Sequence, residues 1–274
     1  MKLRIATCVQ LPEPDADAAP LAQALAASGV DAAWLAWDDP RADWDAPIAT
    51  VIRSTWNYSL ALPAFLAWVD RAAAAAPLVN PPEVVRANVD KRYLLDLAAR
   101  GVPVVPTTLV ERAGEVAVPH ERVVVKPVIG AGSLDTRVFE AGDTDIRAHV
   151  AHVTARCAAL VQPYVASVDD YGERSLVWID GEFTHAIRKT PRFSGDVERI
   201  TGPFAIAGDE RAVATAALAP FASRILYGRV DLARDTAGRP MVMELELVEP
   251  SLFFARQPSA LARYVSALVR RIGA

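Results

Sequence analysis

Two runs near the C-terminus, Tyr227-Gly-Arg229-Val-Asp231-Leu-Ala and Met243-Glu244-Leu-Glu246-Leu-Val-Glu249-Pro250-Ser251, gather acidic side chains beside one arginine. Successive strand residues point to opposite faces, so Arg229 shares a face with Asp231, and Glu244 with Glu246. Asp235-Thr-Ala-Gly238 has turn chemistry, which predicts an antiparallel hairpin whose register sets the two charged faces side by side. Carboxylates converging among Val, Leu and Met are costly unless a cation joins them. Oxygen-only ligands on a sheet suit Mg²⁺, which completes its shell with water and substrate phosphates. The spacing therefore predicts a metal–nucleotide site on Asp231, Glu244 and Glu246.

Lys126 lies within Val-Val-Val-Lys126-Pro-Val-Ile, where an unpaired ammonium would be expensive to bury. Gly130-Ala-Gly132-Ser133 follows, and glycines let backbone amides approach an anion closely. A lysine on a strand feeding such a turn is an arrangement for covering a phosphate. An edge strand with a surface lysine and an ordinary hairpin turn accounts for the same residues. Lys91, taken alone, is a solvated helix residue. Gln162-Pro-Tyr164-Val165 ends an apolar strand, where a side-chain amide and backbone groups could pair with the edge of an adenine ring. Glu173 follows Asp169-Asp-Tyr-Gly172 as a loop carboxylate would, while Lys189 alternates with His185 and Ile187, which predicts a shared inward face. His149 and His152 are i,i+3 on a predicted helix with no Cys or further His nearby, which favours a solvated face over zinc.

The elements that must position these groups fall in three stretches. Predicted strands over 3–7, 31–37 and 50–53 alternate with helices over 17–28 and 63–76, the first closed by Gly29. That alternation implies a mostly parallel, helix-covered α/β sheet. No G-x-G-x-x-G follows the first strand, which argues against a dinucleotide fingerprint. Asn80-Pro-Pro82 interrupts regular structure. A helix over 87–100 closed by Gly101 is predicted next, then strands over 104–110, 122–129 and 135–139, a helix over 143–158 and a strand over 159–165. A hairpin over 175–189, a helix near 209–225, the acidic hairpin and a helix from 258 complete the chain. The predicted units are residues 1–86, 87–162 and 163–274.

Composition limits the partners. With 274 residues, 52% hydrophobic and 23% charged, the chain can bury a sizeable core. A formal charge of -4 supplies no basic field for tracking a nucleic-acid backbone. No apolar run approaches the roughly 20 residues that cross a bilayer, and the start, Met1-Lys-Leu-Arg-Ile-Ala, lacks a signal-peptide pattern. Cys8 and Cys157 are too few and too far apart for a disulfide framework, which fits a reducing cytoplasm. The apolar lobes could form a homodimer.

The order of the signals says more than any one of them. It runs Asn88-Val-Asp-Lys91, Val-Val-Val-Lys126-Pro, Gly130-Ala-Gly-Ser, Gln162-Pro-Tyr-Val, Gly172-Glu173, Asp180-Gly-Glu with Lys189, Arg229-Val-Asp231, and Glu244-Leu-Glu246. This order resembles the ATP-grasp superfamily of carboxylate ligases over about residues 80–252, with the first segment similar to that family's pre-grasp domain. Arg53-Ser-Thr-Trp56-Asn-Tyr58, Gly172-Glu-Arg-Ser-Leu, His185-Ala-Ile-Arg-Lys189 and Glu244-Leu-Glu-Leu-Val-Glu-Pro250 look closer to the cyclo-ligase branch that closes the ring of D-cycloserine.

Carried over by position, the resemblance implies that Lys91 and Lys126 contact the ATP phosphates and that Gly130, Gly132 and Ser133 belong to a mobile glycine loop. It implies that Gln162 and the backbone of Tyr164 and Val165 hold adenine, and that Glu173 accepts from the ribose hydroxyls. Lys189 and Arg229 would sit near the transferring phosphate, with Asp231, Glu244 and Glu246 on Mg²⁺. Many members carry Asn where this chain has Glu246, and the glycine loop continues as Leu134-Asp-Thr rather than gaining another Gly. Trp56, Asn57 and Tyr58 follow the third strand, at the end where α/β sheets present ligand groups. With Arg192 and Ser251 they are the candidates for holding a substrate. The implied activity is ATP- and Mg²⁺-dependent activation of a small amino-acid-like carboxylate for attack by an amine-type nucleophile, intramolecular in the cyclo-ligase version. A phosphotransferase on the same scaffold and a catalytically silent nucleotide-binding module are the rivals.

Overall fold

The computed structural model describes residues 1–112, 121–190 and 199–273. Strands β1 (Lys2–Thr7), β2 (Asp31–Ala36), β3 (Thr50–Ser54) and β4 (Leu78–Val79) form a parallel sheet in the order β2-β1-β3-β4. Side-chain alternation gives this sheet two apolar faces, as parallel sheets require. Leu3, Ile5 and Val51 pack with Leu21 and Leu25 of helix α1 (Ala18–Ala27) and with Tyr264 and Leu268 of the C-terminal helix Pro258–Gly273. Ala6 and Ile52 face the other way, onto Phe65, Trp68 and Val69 of α2 (Leu62–Ala75) and onto Trp37 and Trp44. The alternating pattern in the sequence is thus realised, and the two-residue β4 is the addition, too short to leave a periodic signal.

The predicted helix over 87–100 is two helices, α3 (Pro82–Asn88) and α4 (Tyr93–Ala99). Asp90 makes the break: its Oδ1 accepts from the Arg92 backbone N–H at 2.9 Å, an alternative to the helical ladder. Lys91 therefore lies in the joint, where its backbone N–H donates to the Val128 carbonyl at 2.8 Å.

A second sheet, all antiparallel, has the order β5-β8-β6-β7, with β5 (Thr108–Val110), β6 (Arg122–Pro127), β7 (Arg137–Glu140) and β8 (Ala159–Pro163). Helix α5 (Asp145–Thr154) covers it through Ile146, Val150 and Val153, packed on Val123, Val125, Phe139 and Val161. The strand predicted over 104–110 is regular only at its end, with one isolated bridge from Val104 to Val242.

After a short helix α6 (Ser167–Asp170), the third sheet follows the order β11-β10-β9-β12-β13, again antiparallel. Its strands are β9 (Glu173–Ile179), β10 (Glu182–Lys189), β11 (Ile200–Phe204), β12 (Tyr227–Arg234) and β13 (Pro240–Glu246), with α7 (Gly208–Leu218) behind. Leu176, Ala186, Val230 and Leu245 meet Ala214, Ala217 and Leu218 in that core. Strand β13 is an edge, and its unpaired backbone groups need partners. Pro103 and Val105 bond to Val242, Tyr93 Oη accepts from the Leu245 N–H, and Asn88 bonds to Leu245 and Leu247. No helix among the described residues is long and apolar enough to cross a membrane.

Candidate active site

The acidic hairpin has the register its sequence predicts: Arg229 pairs with Glu246 and Asp231 with Glu244 across β12 and β13. Arg229 makes a two-pronged contact with Asp231, Nε to Oδ1 and Nη2 to Oδ2, both at 2.8 Å, and Nη2 also reaches Glu246. Lys189, on the far side of β9, joins from β10, donating to Asp231 Oδ2 at 2.9 Å and pairing with Glu173. His185, Ile187 and Lys189 are all buried, as their alternation predicts. From the facing sheet, Lys126 Nζ reaches Glu244 Oε1 at 2.9 Å, so one ion pair spans the cleft between β6 and β13. Lys126 is 6% exposed, which disposes of the surface-lysine reading.

The charges are mutually dependent. Burial pushes Asp231 up, but Arg229 and Lys189 outweigh it and hold the carboxylate well below its usual range. Burial and Arg229 push Lys189 down, yet Asp231, Glu173 and Glu246 keep it above its ordinary value. Burial likewise raises Glu244, but Lys126 and Lys91 bring it to about 2. Glu173 and Glu249 are each pushed up to about 8, by burial first. Neighbouring acids add to this rise, Asp231 for Glu173 and Glu246 for Glu249. Glu246 is raised for the same reasons, burial and then Asp231 against the opposing Arg229.

These acids outrun their cations, which is the chemistry a hard divalent ion relieves. Among the described residues no three acidic, His or Cys groups already form a metal cage, because each carboxylate on the hairpin is drawn to a Lys or Arg. Glu244 and Glu246 nevertheless keep 27% and 28% of their side-chain surface open, so an ion in the cleft can reach them. The donor set fits Mg²⁺.

On the facing sheet, Lys91 Nζ donates to the Gly130 carbonyl, which ties the α3–α4 joint to the glycine turn. Gly132 has φ +60°, and Ser133 and Asp135 adopt the same left-handed conformation. Gly130 is buried, while Gly132 and Ser133 are exposed. Gln162 is buried and donates from Nε2 to Thr107 Oγ1 at 2.8 Å. The Tyr164 N–H donates to the Arg122 carbonyl, its ring lies 3.8 Å from the Arg122 guanidinium, and Val165 continues the connector into α6. Gly172 has φ +78° and an added Cβ would meet the Lys189 carbonyl at 2.9 Å, so only Gly fits before Glu173. The solvated-face expectation holds for His152 but not for His149, which is buried, bonds the Asp135 carbonyl at 3.0 Å and rests on Phe139.

At the end of β3, Trp56 Nε1 donates to the Glu249 carbonyl at 3.1 Å. Asn57 is engaged internally, accepting from Trp37 Nε1 and donating to Asp38, both at 2.7 Å. Tyr58 is buried against Phe65. The Ser251 carbonyl accepts from Arg229 Nη1 at 3.2 Å. Arg192 lies outside the described residues. Sequence reasoning missed Asn88 and Asp17. Asn88 bonds the Leu245 carbonyl at 2.8 Å and the Leu247 N–H at 2.7 Å, clamping the peptide groups on either side of Glu246. Asp17 accepts from the backbone N–H groups of Leu252, Phe253 and Phe254. The sequence hints were the place of Asn88 at the head of the Asn88-Val-Asp-Lys91 signal, which carried no role for it, and an Asp17 ahead of the first helix whose side chain caps nothing local.

Two antiparallel sheets facing across a cleft of lysines and acids, set beside a parallel α/β sheet, define an ATP-grasp enzyme. The family model described as "D-cycloserine synthetase DcsG, N-terminal domain" matches residues 3–80. The cycloserine biosynthesis protein DcsG of Streptomyces lavendulae is 38% identical over 94% of each chain. The crystal structure of D-cycloserine synthetase DcsG superposes with a TM-score of 0.89 at 35% identity, over 99% of this chain and 100% of that one. D-alanine–D-alanine ligase from Bacillus anthracis shares the fold alone, with a TM-score of 0.68 at 12% identity over 98% of this chain and 96% of that one. The chain belongs to the ATP-grasp carboxylate ligases, in the DcsG branch. It is a ligase of that branch.

Proposed function

We propose that this enzyme closes the ring of D-cycloserine or of a compound of the same class, joining a carboxylate and an amine-type nitrogen of one molecule. The observation that carries the reading is the hairpin itself: Arg229, Asp231, Glu244 and Glu246 in register, with Lys126 and Lys189 converging on them. Likeness to D-cycloserine synthetase over nearly the whole chain supports the intramolecular version. In the first step a substrate carboxylate oxygen bonds to the γ-phosphorus as the β,γ-bridging bond breaks, giving an acyl phosphate and ADP. The nitrogen then attacks the acyl carbon and loses its proton, and phosphate departs with the C–O electron pair. The chain need supply no nucleophile, only alignment and charge.

Lys91 and Lys126 take the phosphates, with Gly130, Gly132 and Ser133 covering them. Gln162, Tyr164 and Val165 line the adenine and Glu173 the ribose. Lys189 and Arg229 neutralise charge on the transferring group. Asp231, Glu244 and Glu246 hold Mg²⁺, which when bound neutralises phosphate oxygens. Trp56, Asn57, Tyr58 and Ser251 border the substrate end, with Arg192 assigned there from sequence alone. Units of 1–86, 87–162 and 163–274 are the proposed divisions, each centred on one sheet, with β8 ending one residue past the second boundary. Unpaired Cys8 and Cys157 support a reducing cytoplasm, the charge of -4 argues against nucleic acid as partner, and a homodimer is the assembly to test. The test supplies MgATP with open-chain amino carboxylates ending in an amine-type nitrogen. Ring product, ADP and phosphate in equal amounts, with a hydroxamate on adding hydroxylamine, are expected. A stable phosphorylated product would mean phosphotransfer instead, and ADP release without a ring would sink ring closure.

A further inference from the structure

Five carboxylates belong to the cleft, and four of them are already paired. Glu173 and Asp231 share Lys189, Asp231 and Glu246 share Arg229, and Glu244 has Lys126. Glu249 is the exception: it is half-buried and has no cationic partner among the described residues. Its place is fixed by its own backbone, because the carbonyl of Glu249 accepts from Trp56 Nε1 at 3.1 Å. Two residues on, the Ser251 carbonyl accepts from Arg229. The backbone at Glu249 thus runs between the substrate-end tryptophan and the arginine nearest the metal carboxylates, with Glu246 near its side chain. Lys91 and Arg229 are close enough to act on it electrostatically, yet neither bonds to it.

On the functional reading above, Lys91, Lys126, Lys189 and Arg229 turn to phosphate and Mg²⁺ joins Asp231, Glu244 and Glu246. Glu249 is then the one cleft acid that neither the nucleotide nor its metal satisfies. A partly desolvated carboxylate in that position selects a ligand that brings its own cation. We propose that Glu249 is the specificity residue for a primary ammonium on the substrate, so that the enzyme activates amino acids and rejects matched carboxylates lacking the amino group. This inference rests on the ligase reading but not on ring closure, because the ammonium is recognised before the acyl phosphate forms.

The test uses the activation step alone. ADP release and hydroxylamine-trapped acyl phosphate are measured with pairs of small carboxylates that differ only in the amino group, for the whole protein and for Glu249→Gln and Glu249→Asp. The wild type should prefer the amino acid by on the order of tenfold to a hundredfold in kcat/KM, the value of one charge-assisted hydrogen bond. Glu249→Gln should erase that preference by raising KM for the amino acid, with KM for ATP within about twofold of wild type. Glu249→Asp should restore part of it. A wild type indifferent to the amino group, or a preference that survives in Glu249→Gln, overturns the proposal. Hydroxamate formed with this preference, but no ring from any open-chain substrate, removes ring closure and leaves the anchor standing.

Discussion

The carboxylate of Asp17 accepts the backbone N–H of Phe254 at 2.7 Å, across 237 residues of chain. The same carboxylate takes the amides of Leu252 at 2.6 Å and Phe253 at 3.1 Å, while Arg53 neutralises it from 3.3 Å. Phe253 is left-handed at φ +54°, and its ring lies 5.6 Å from the Arg229 guanidinium. The segment that carries Ser251 is therefore bent over Arg229 and held there by a buried acid at the start of α1.

Breaking this pair should be costly. Asp17 and Arg53 are each 2% exposed, and Arg53 Nε and Nη1 have no hydrogen-bond partner among the described residues. Asp17→Asn leaves a buried guanidinium uncompensated, so stability should fall by about 3 kcal/mol or more. Adding Arg53→Met should recover at least half of that loss. Urea unfolding of the two variants checks this, and a double variant no more stable than Asp17→Asn would refute the pairing argument.

Asn88 gives a second prediction, about the other side of the hairpin. Asn88→Ala strips partners from the Leu245 carbonyl and the Leu247 N–H, which no neighbouring strand can replace because β13 is an edge. The expected cost is roughly 2–4 kcal/mol of stability. Since Glu246 lies between those peptide groups, turnover should also drop more than ATP affinity does. Steady-state kinetics beside thermal unfolding separate the two effects, and unchanged turnover in a fully folded Asn88→Ala would show that the clamp is structural only.

What the sequence revealed and what it hid follow from range. The Arg229–Glu246 register was legible because strand alternation and a Gly238 turn fix it locally, and the parallel sheet because its apolar faces repeat. The break at Asp90 was hidden inside a pattern that stays apolar at helical spacing on both sides, so only a side-chain bond to Arg92 reveals it. Strand β11 carries Gly202-Pro203, which reads as a loop until its pairing with β10 is seen. Asp17, Asn88 and Glu249 act on partners far along the chain, and no short motif announces such a role.

His185 predicts a pH dependence. Burial lowers its pKa from 6.5 to about 4, against the raising influence of the Leu252 backbone and Asp17. The folded state thus keeps a neutral imidazole where the unfolded chain is protonated. Its contribution is fully present above pH 6.5 and is lost as pH falls towards about 4, by about 3 kcal/mol in all. His185→Gln should flatten that part of the stability curve. The difference between wild-type and variant urea midpoints, followed from pH 7.5 to pH 5, isolates this group from the carboxylates, and a constant difference would contradict the buried neutral state.

The cleft also predicts how nucleotide and metal should bind. Before they arrive, Lys126 and Glu244 satisfy each other, as do Arg229 and Glu246. ATP without metal would draw the lysines and arginine away from acids that then stand unpaired, and metal without ATP would strand the cations. Only the two together replace every lost contact. Binding of ATP and Mg²⁺ should therefore be strongly coupled, by about 1–3 kcal/mol beyond the affinity of Mg²⁺ for ATP in solution. Glu244→Gln should weaken that coupling while sparing metal-free ATP, for which the freed Lys126 is better placed than in the wild type. Calorimetric titrations of ATP with and without Mg²⁺, on both proteins, read the coupling directly, and equal coupling in Glu244→Gln would remove Glu244 from the metal set.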